Sequence, residues 1–70
     1  MTFAIKGFII LYMNAEDIRL LRKRLGLTQE EMARLVGVSF VSVNRWERDK
    51  TKPSKLALNA LKNLASEVTV

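Results

Sequence analysis

The chain contains no cysteine and no histidine. Disulfide scaffolds, thiol redox chemistry, cysteine–histidine zinc sites and every catalytic scheme built on thiolate or imidazole are thereby excluded. Long apolar runs are missing too: the greasiest stretch, residues 8–13, is six residues, whereas a membrane-spanning helix needs about 20. Lys6 and Gly7 separate that stretch from the apolar residues before it, and a polar Asn-Ala-Glu-Asp run follows it, which does not suit a secretory signal. A cytoplasmic location is expected. No nucleophile stands with a base, and carboxylates such as Glu30 and Glu31 are explained by helix capping and dipole preference. The sequence therefore predicts no enzyme, no metal and no cofactor.

What is present is a 49% apolar fraction, enough for a core, in 70 residues, which is one small domain. Twelve basic residues against seven acidic ones leave a formal net charge of +5, favouring nucleic acid or an anionic membrane as partner. A membrane-surface peptide would carry its apolar and basic residues on one amphipathic helix. Here the apolar segment and the basic cluster are far apart in the chain.

The chain divides into an apolar segment (residues 1–13), a helical body (residues 14–66) and a tail (residues 67–70). Residues 2–13 are rich in Phe, Ile, Leu and Tyr, which suits a β-strand, with Gly7 at a bend. Met13 is a second candidate translation start. The tail has β character and no helical pattern.

Within the body, Asn14 is the expected N-cap of a first helix, with Glu16 and Asp17 facing the positive end of the helix dipole. Ile18, Leu21 and Leu25 form its apolar stripe, and Gly26 stops it. Thr28 and Glu31 make a capping box for a second helix, whose inner face is Met32, Ala33 and Val36. Gly37 ends it and Ser39 caps a third helix that runs to about Arg48. Val43 and Trp46, three apart, mark the buried side of that helix; at this spacing Trp46 is read as core, as is Met32. A polar loop containing the single proline, Pro53, leads to Ser54, the cap of a fourth helix with Leu58, Leu61, Leu64 and Ala65 inward.

Residues 29–48, QEEMARLVGVSFVSVNRWER, combine several requirements of two helices crossing steeply over a short turn. Ala33 is small enough for close approach, Gly37 tolerates positive φ, and Met32, Val36, Val38, Val43 and Trp46 supply the apolar faces. With Val43 and Trp46 inward, Phe40, Val41, Asn44, Arg45 and Arg48 fall on the outward face.

Three stretches, LRKRLGLTQEEMARLVGVS, VNRWER and the Lys-x-Lys-Pro-Ser loop, resemble the Cro and phage-repressor (XRE-like) helix-turn-helix regulators over about residues 17–64. The resemblance implies a mainly α, compact lambda-repressor-like domain of four or five helices, with the candidate strand added before it. It implies sequence-specific binding to double-stranded DNA, a homodimer on a palindromic operator, and a repressor with the helix at residues 39–48 in the major groove. Positions matching Phe40, Val41, Asn44 and Arg45 approach base edges in that family. Guanidinium suits guanine, and Asn44 suits adenine. Phe40 and Val41 depart from the polar residues common there. Two readings stay open for Phe40: contact with a thymine methyl, or packing on the scaffold or a protein partner.

Gln29 matches a position that holds the DNA backbone, where a helix N-terminus also attracts anions. Arg48, Lys50, Lys52 and Lys55 cluster beyond the third helix and are the remaining candidates for phosphate contact. Thr28 and Ser39 are caps first, and Arg34 and Lys62 are solvated charges. Arg22 and Glu47 match positions that form an internal ion pair in phage-repressor relatives. Two other functions remain: an antitoxin that pairs with a toxin partner and regulates its own operon, with residues 1–13 as the partner-binding or dimerising strand, and an adaptor that binds proteins rather than DNA.

Overall fold

The computed structural model describes residues 13–68, which form α1 (Ala15–Leu25), α2 (Gln29–Val36), α3 (Phe40–Glu47) and α4 (Lys55–Val68), with no strand among the described residues. The candidate N-terminal strand and its dimerising role fall on residues 1–12, outside the described residues.

Each helix begins where a side chain can satisfy the first free amides. Asn14 Oδ1 accepts from the Asp17 amide at 2.8 Å while Asp17 Oδ2 accepts from the Asn14 amide at 3.1 Å, a reciprocal capping box. Thr28 Oγ1 and Glu31 Oε1 repeat the arrangement for α2 at 3.0 and 2.8 Å. Ser39 Oγ accepts from the Ser42 amide, and Ser54 Oγ from the Ala57 amide, both at 3.2 Å. The capping residues read from the sequence are therefore those the fold uses.

The helix ends follow the same economy. Gly26 and Gly37 stand at φ 70° and 86°, a region where a Cβ meets the neighbouring carbonyl and glycine has no penalty. Asp49 closes α3 at φ 59° without being glycine. Its amide donates to the Trp46 carbonyl at 3.1 Å and the Lys50 amide to the Arg45 carbonyl at 2.9 Å, the paired bonds of a Schellman turn. A short polar side chain makes that conformation affordable for aspartate.

α2 and α3 pack most extensively against each other; α1 lies on α3, and α4 closes the bundle against α1 and α2. The core is Met13, Ile18, Leu21, Met32, Ala33, Val43, Trp46, Ala57, Leu61 and Ala65, flanked by partly buried Leu25, Leu27, Val36, Val38, Leu58 and Leu64. Trp46 and Met32 are core residues, as their spacing predicts. Met13, assigned above to the apolar segment, is buried with the helices. The tail is a correction. α4 continues through Val68, so residues 67 and 68 are helical in backbone rather than β-like. Glutamate propagates a helix well and one β-branched residue at its end costs only a few tenths of a kcal/mol, less than the packed face upstream supplies. Residues 69 and 70 lie outside the described residues.

Candidate nucleic-acid interface

α3 separates two tasks between its two faces. Val43, Trp46 and Glu47 are buried against the bundle, while Phe40, Val41 and Arg45 are exposed and Asn44 is half-buried. Phe40 and Val41 are 45% and 51% exposed, so the outward face of the helix carries apolar as well as polar groups. Phe40, Val41, Asn44, Arg45, Arg48, Lys50 and Thr51 line one open concavity of about 450 Å³. The structure thus brings all four expected base-reading residues together with two of the expected phosphate contacts. Lys52 and Lys55 are exposed on the approach to α4 and do not line that concavity.

Behind this surface lies a polar network centred on Glu47, which is only 6% exposed. Arg22 Nε donates to Glu47 Oε2 at 2.6 Å and its Nη2 to Oε1 at 2.9 Å, a bidentate pair joining α1 to α3. Arg22 Nη1 donates to the Leu27 carbonyl at 3.0 Å, and Arg19 Nη2 to the Glu47 carbonyl at 3.1 Å. Gln29 faces inward rather than standing free: its Nε2 donates to Glu47 Oε1 at 3.0 Å and its Oε1 accepts from Asn44 Nδ2 at 3.2 Å. No buried side-chain polar atom among the described residues lacks a partner, so the network satisfies the requirement that makes buried ions tolerable.

Arg19 and the Gln29–Asn44 link are absent from the sequence reading. Arg19 sits three residues before Arg22 and so shares its face, a usable signal. Nothing local marks Gln29 as the neighbour of Asn44, because that contact depends on how α2 crosses α3.

The electrostatics of Glu47 are a contest. Burial pushes its carboxyl up, but hydrogen bonds from Arg22 and Gln29, with the charges of Arg22 and Arg19, outweigh burial and hold it below the ordinary carboxylate value of 4.5. Arg22 is raised, chiefly by its hydrogen bond to Glu47, with burial opposing. A carboxylate whose folded pKa is depressed stabilises the fold above its unfolded pKa, and that stability is lost as pH falls through the folded value. The melting temperature is accordingly expected to hold from neutral pH down to about 5 and to drop below about 4.5. In Glu47→Gln this acid-side drop should be shallower; an unchanged pH profile of melting would remove Glu47 from the acid sensitivity.

A family model described as helix-turn-helix matches residues 18–63. Over 46 residues, 66% of the chain, the sequence is 44% identical to the repressor protein C2 of Salmonella phage P22, covering 21% of that protein. It is 39% identical over 46 residues to the uncharacterised helix-turn-helix-type transcriptional regulator YiaG of Escherichia coli K12, covering 48% of it. The matched region thus spans about a fifth of the one relative and about half of the other. No solved structure matches. With two capped helices crossing at Gly37 and an outward face on the second of them that mixes apolar, amide and guanidinium groups, the chain belongs to the XRE-type helix-turn-helix family, a family of transcription regulators rather than enzymes.

Proposed function

We propose that this chain binds double-stranded DNA sequence-specifically, as a cytoplasmic homodimeric repressor on a two-fold operator, with α3 in the major groove. The observation that carries the reading is the outward face of α3, where apolar, amide and guanidinium groups stand side by side above a buried, fully bonded support. Arg45 is suited to guanine O6 and N7, Asn44 to adenine, and Phe40 and Val41 to thymine methyl groups. Arg48, Lys50, Lys52 and Lys55, with the N-terminal end of α2 at Gln29, supply the positive flank that holds phosphates. The name of the phage relative, a repressor, supports repression over activation.

Selection from a random duplex pool, followed by binding across a salt series, tests this. The wild type should enrich a two-fold symmetric site. Arg45→Ala should relax one base position by about 1–3 kcal/mol, leaving salt-sensitive background binding in place. Lys50→Ala should weaken all sequences alike and reduce the salt slope by about one. A pool that yields no enriched sequence, with binding abolished by salt equally in wild type and Arg45→Ala, would sink sequence-specific recognition.

A further inference from the structure

We infer that Glu47 is a positioning residue for base recognition: through Gln29 it fixes which edge of the Asn44 amide faces the DNA, and so selects adenine at that position. The inference rests on the DNA-binding reading above and deepens it.

The argument follows donors and acceptors along one chain of hydrogen bonds. An ionised carboxylate can only accept. Glu47 Oε1 and Oε2 face the Arg22 guanidinium at 2.9 and 2.6 Å, and Arg22 can only donate. Glu47 therefore stays an acceptor, and the group reaching it from Gln29 must be the –NH2, at 3.0 Å. An amide has one donor end and one acceptor end, so Gln29 turns its Oε1 toward Asn44. Only a donor satisfies that oxygen, and Asn44 supplies Nδ2 at 3.2 Å. Asn44 is left with Oδ1 and one N–H to offer outward. Those two groups are what a bidentate contact to adenine N6 and N7 requires.

An asparagine on a bare helix surface turns over at little cost and reads either edge. Here the turnover is opposed by a buried ion pair between α1 and α3, two residues away from any base. The preference at this position is set from below the reading face.

Glu47→Gln tests the relay because it keeps shape and removes the constraint. The introduced amide can meet Gln29 with either its oxygen or its –NH2, so the acceptor-only constraint on the Gln29 amide is gone and that amide can turn over. Where it does, Asn44 follows, spends its oxygen inward and offers only N–H groups outward. Gln29→Met, which leaves the Arg22–Glu47 pair in place, cuts the relay at its middle link. It carries the test should Glu47→Gln fail to fold.

Random-pool selection with wild type, Asn44→Ala, Glu47→Gln and Gln29→Met reads the outcome as the adenine preference at each position relative to the other positions of the same motif. Asn44→Ala identifies which position Asn44 reads. The expected result is a wild-type adenine there, relaxed about five-fold or more in Glu47→Gln and Gln29→Met, with the Arg45-dependent position keeping its relative preference. A purely structural role would lower every position together. Retention of the adenine preference in a folded variant with the relay cut overturns the inference, as does a wild-type motif with no adenine at the Asn44-dependent position. In both cases DNA recognition itself stands. Absence of any enriched motif in wild type overturns the DNA reading instead.

Discussion

Glu47→Ala is expected to destabilise the fold by about 3 kcal/mol, because it strands one member of a buried pair. The carboxylate removed accepts from Arg22 twice and from Gln29 once. Arg22 keeps its bond to the Leu27 carbonyl and has a side chain 17% exposed. Water can therefore reach it in part, which sets the effect at the lower end of the 3–5 kcal/mol typical of a broken buried pair. For a domain this small the total stability is about 3–8 kcal/mol, so the variant should lose about 15 °C or more of melting temperature or be largely unfolded.

Urea unfolding followed by Trp46 emission measures the loss directly, since Trp46 is the chain's one tryptophan and is buried. The double variant with Arg22→Ala should be less destabilised than the sum of the two single ones, by about 0.5–3 kcal/mol. Replacing both residues with apolar ones of similar size should recover much of the loss, because desolvation offsets much of what the pair gains. A Glu47→Ala loss below about 1 kcal/mol would mean that the pair is bonded yet contributes little.

Leu61→Ala is expected to cost about 3 kcal/mol, by a different route. Leu61 is fully buried on α4, the helix that closes the bundle against α1 and α2. Truncation removes its transfer free energy and leaves a cavity that the other nine core residues, which include members of every helix, cannot collapse around without shifting. Five residues earlier on the same helix, Leu56 is 80% exposed, and Leu56→Ala should change stability by no more than about 0.5 kcal/mol. The same chemistry at two positions thus isolates burial as the cause. Equal midpoints for both in urea would contradict the placement of α4.

The features readable in advance were those whose physics is local. Asn14, Thr28, Ser39 and Ser54 cap helices because their side chains reach amides within three residues, and Gly26 and Gly37 occupy positive φ because the chain must turn there. Val43 and Trp46 could be assigned to the core from spacing alone, which leaves Phe40, Val41 and Arg45 outward by subtraction. Nonlocal contacts were another matter. Arg22 and Glu47, 25 residues apart, were paired only by resemblance, and the links from Gln29 to Glu47 and Asn44 depend on a crossing angle that no periodicity encodes. The end of α4 was misread because β propensity in a few terminal residues is weaker than continuation of a packed helix. Asp49, at φ 59°, closes α3 in a conformation usually reserved for glycine, and composition offered no hint of it.

The division of α3 into a buried and an outward side also bears on how such a domain can diversify. Phe40, Val41 and Arg45 stand clear of the core, so each can be exchanged with little effect on folding, and under the proposed DNA reading descendants of one scaffold would drift toward new operators one base contact at a time. Asn44 is different, being tied through Gln29 to the ion pair beneath. A change there has to be accommodated by the interior as well as by any base it meets, and under the same reading lineages built on this scaffold would alter that letter of the operator last.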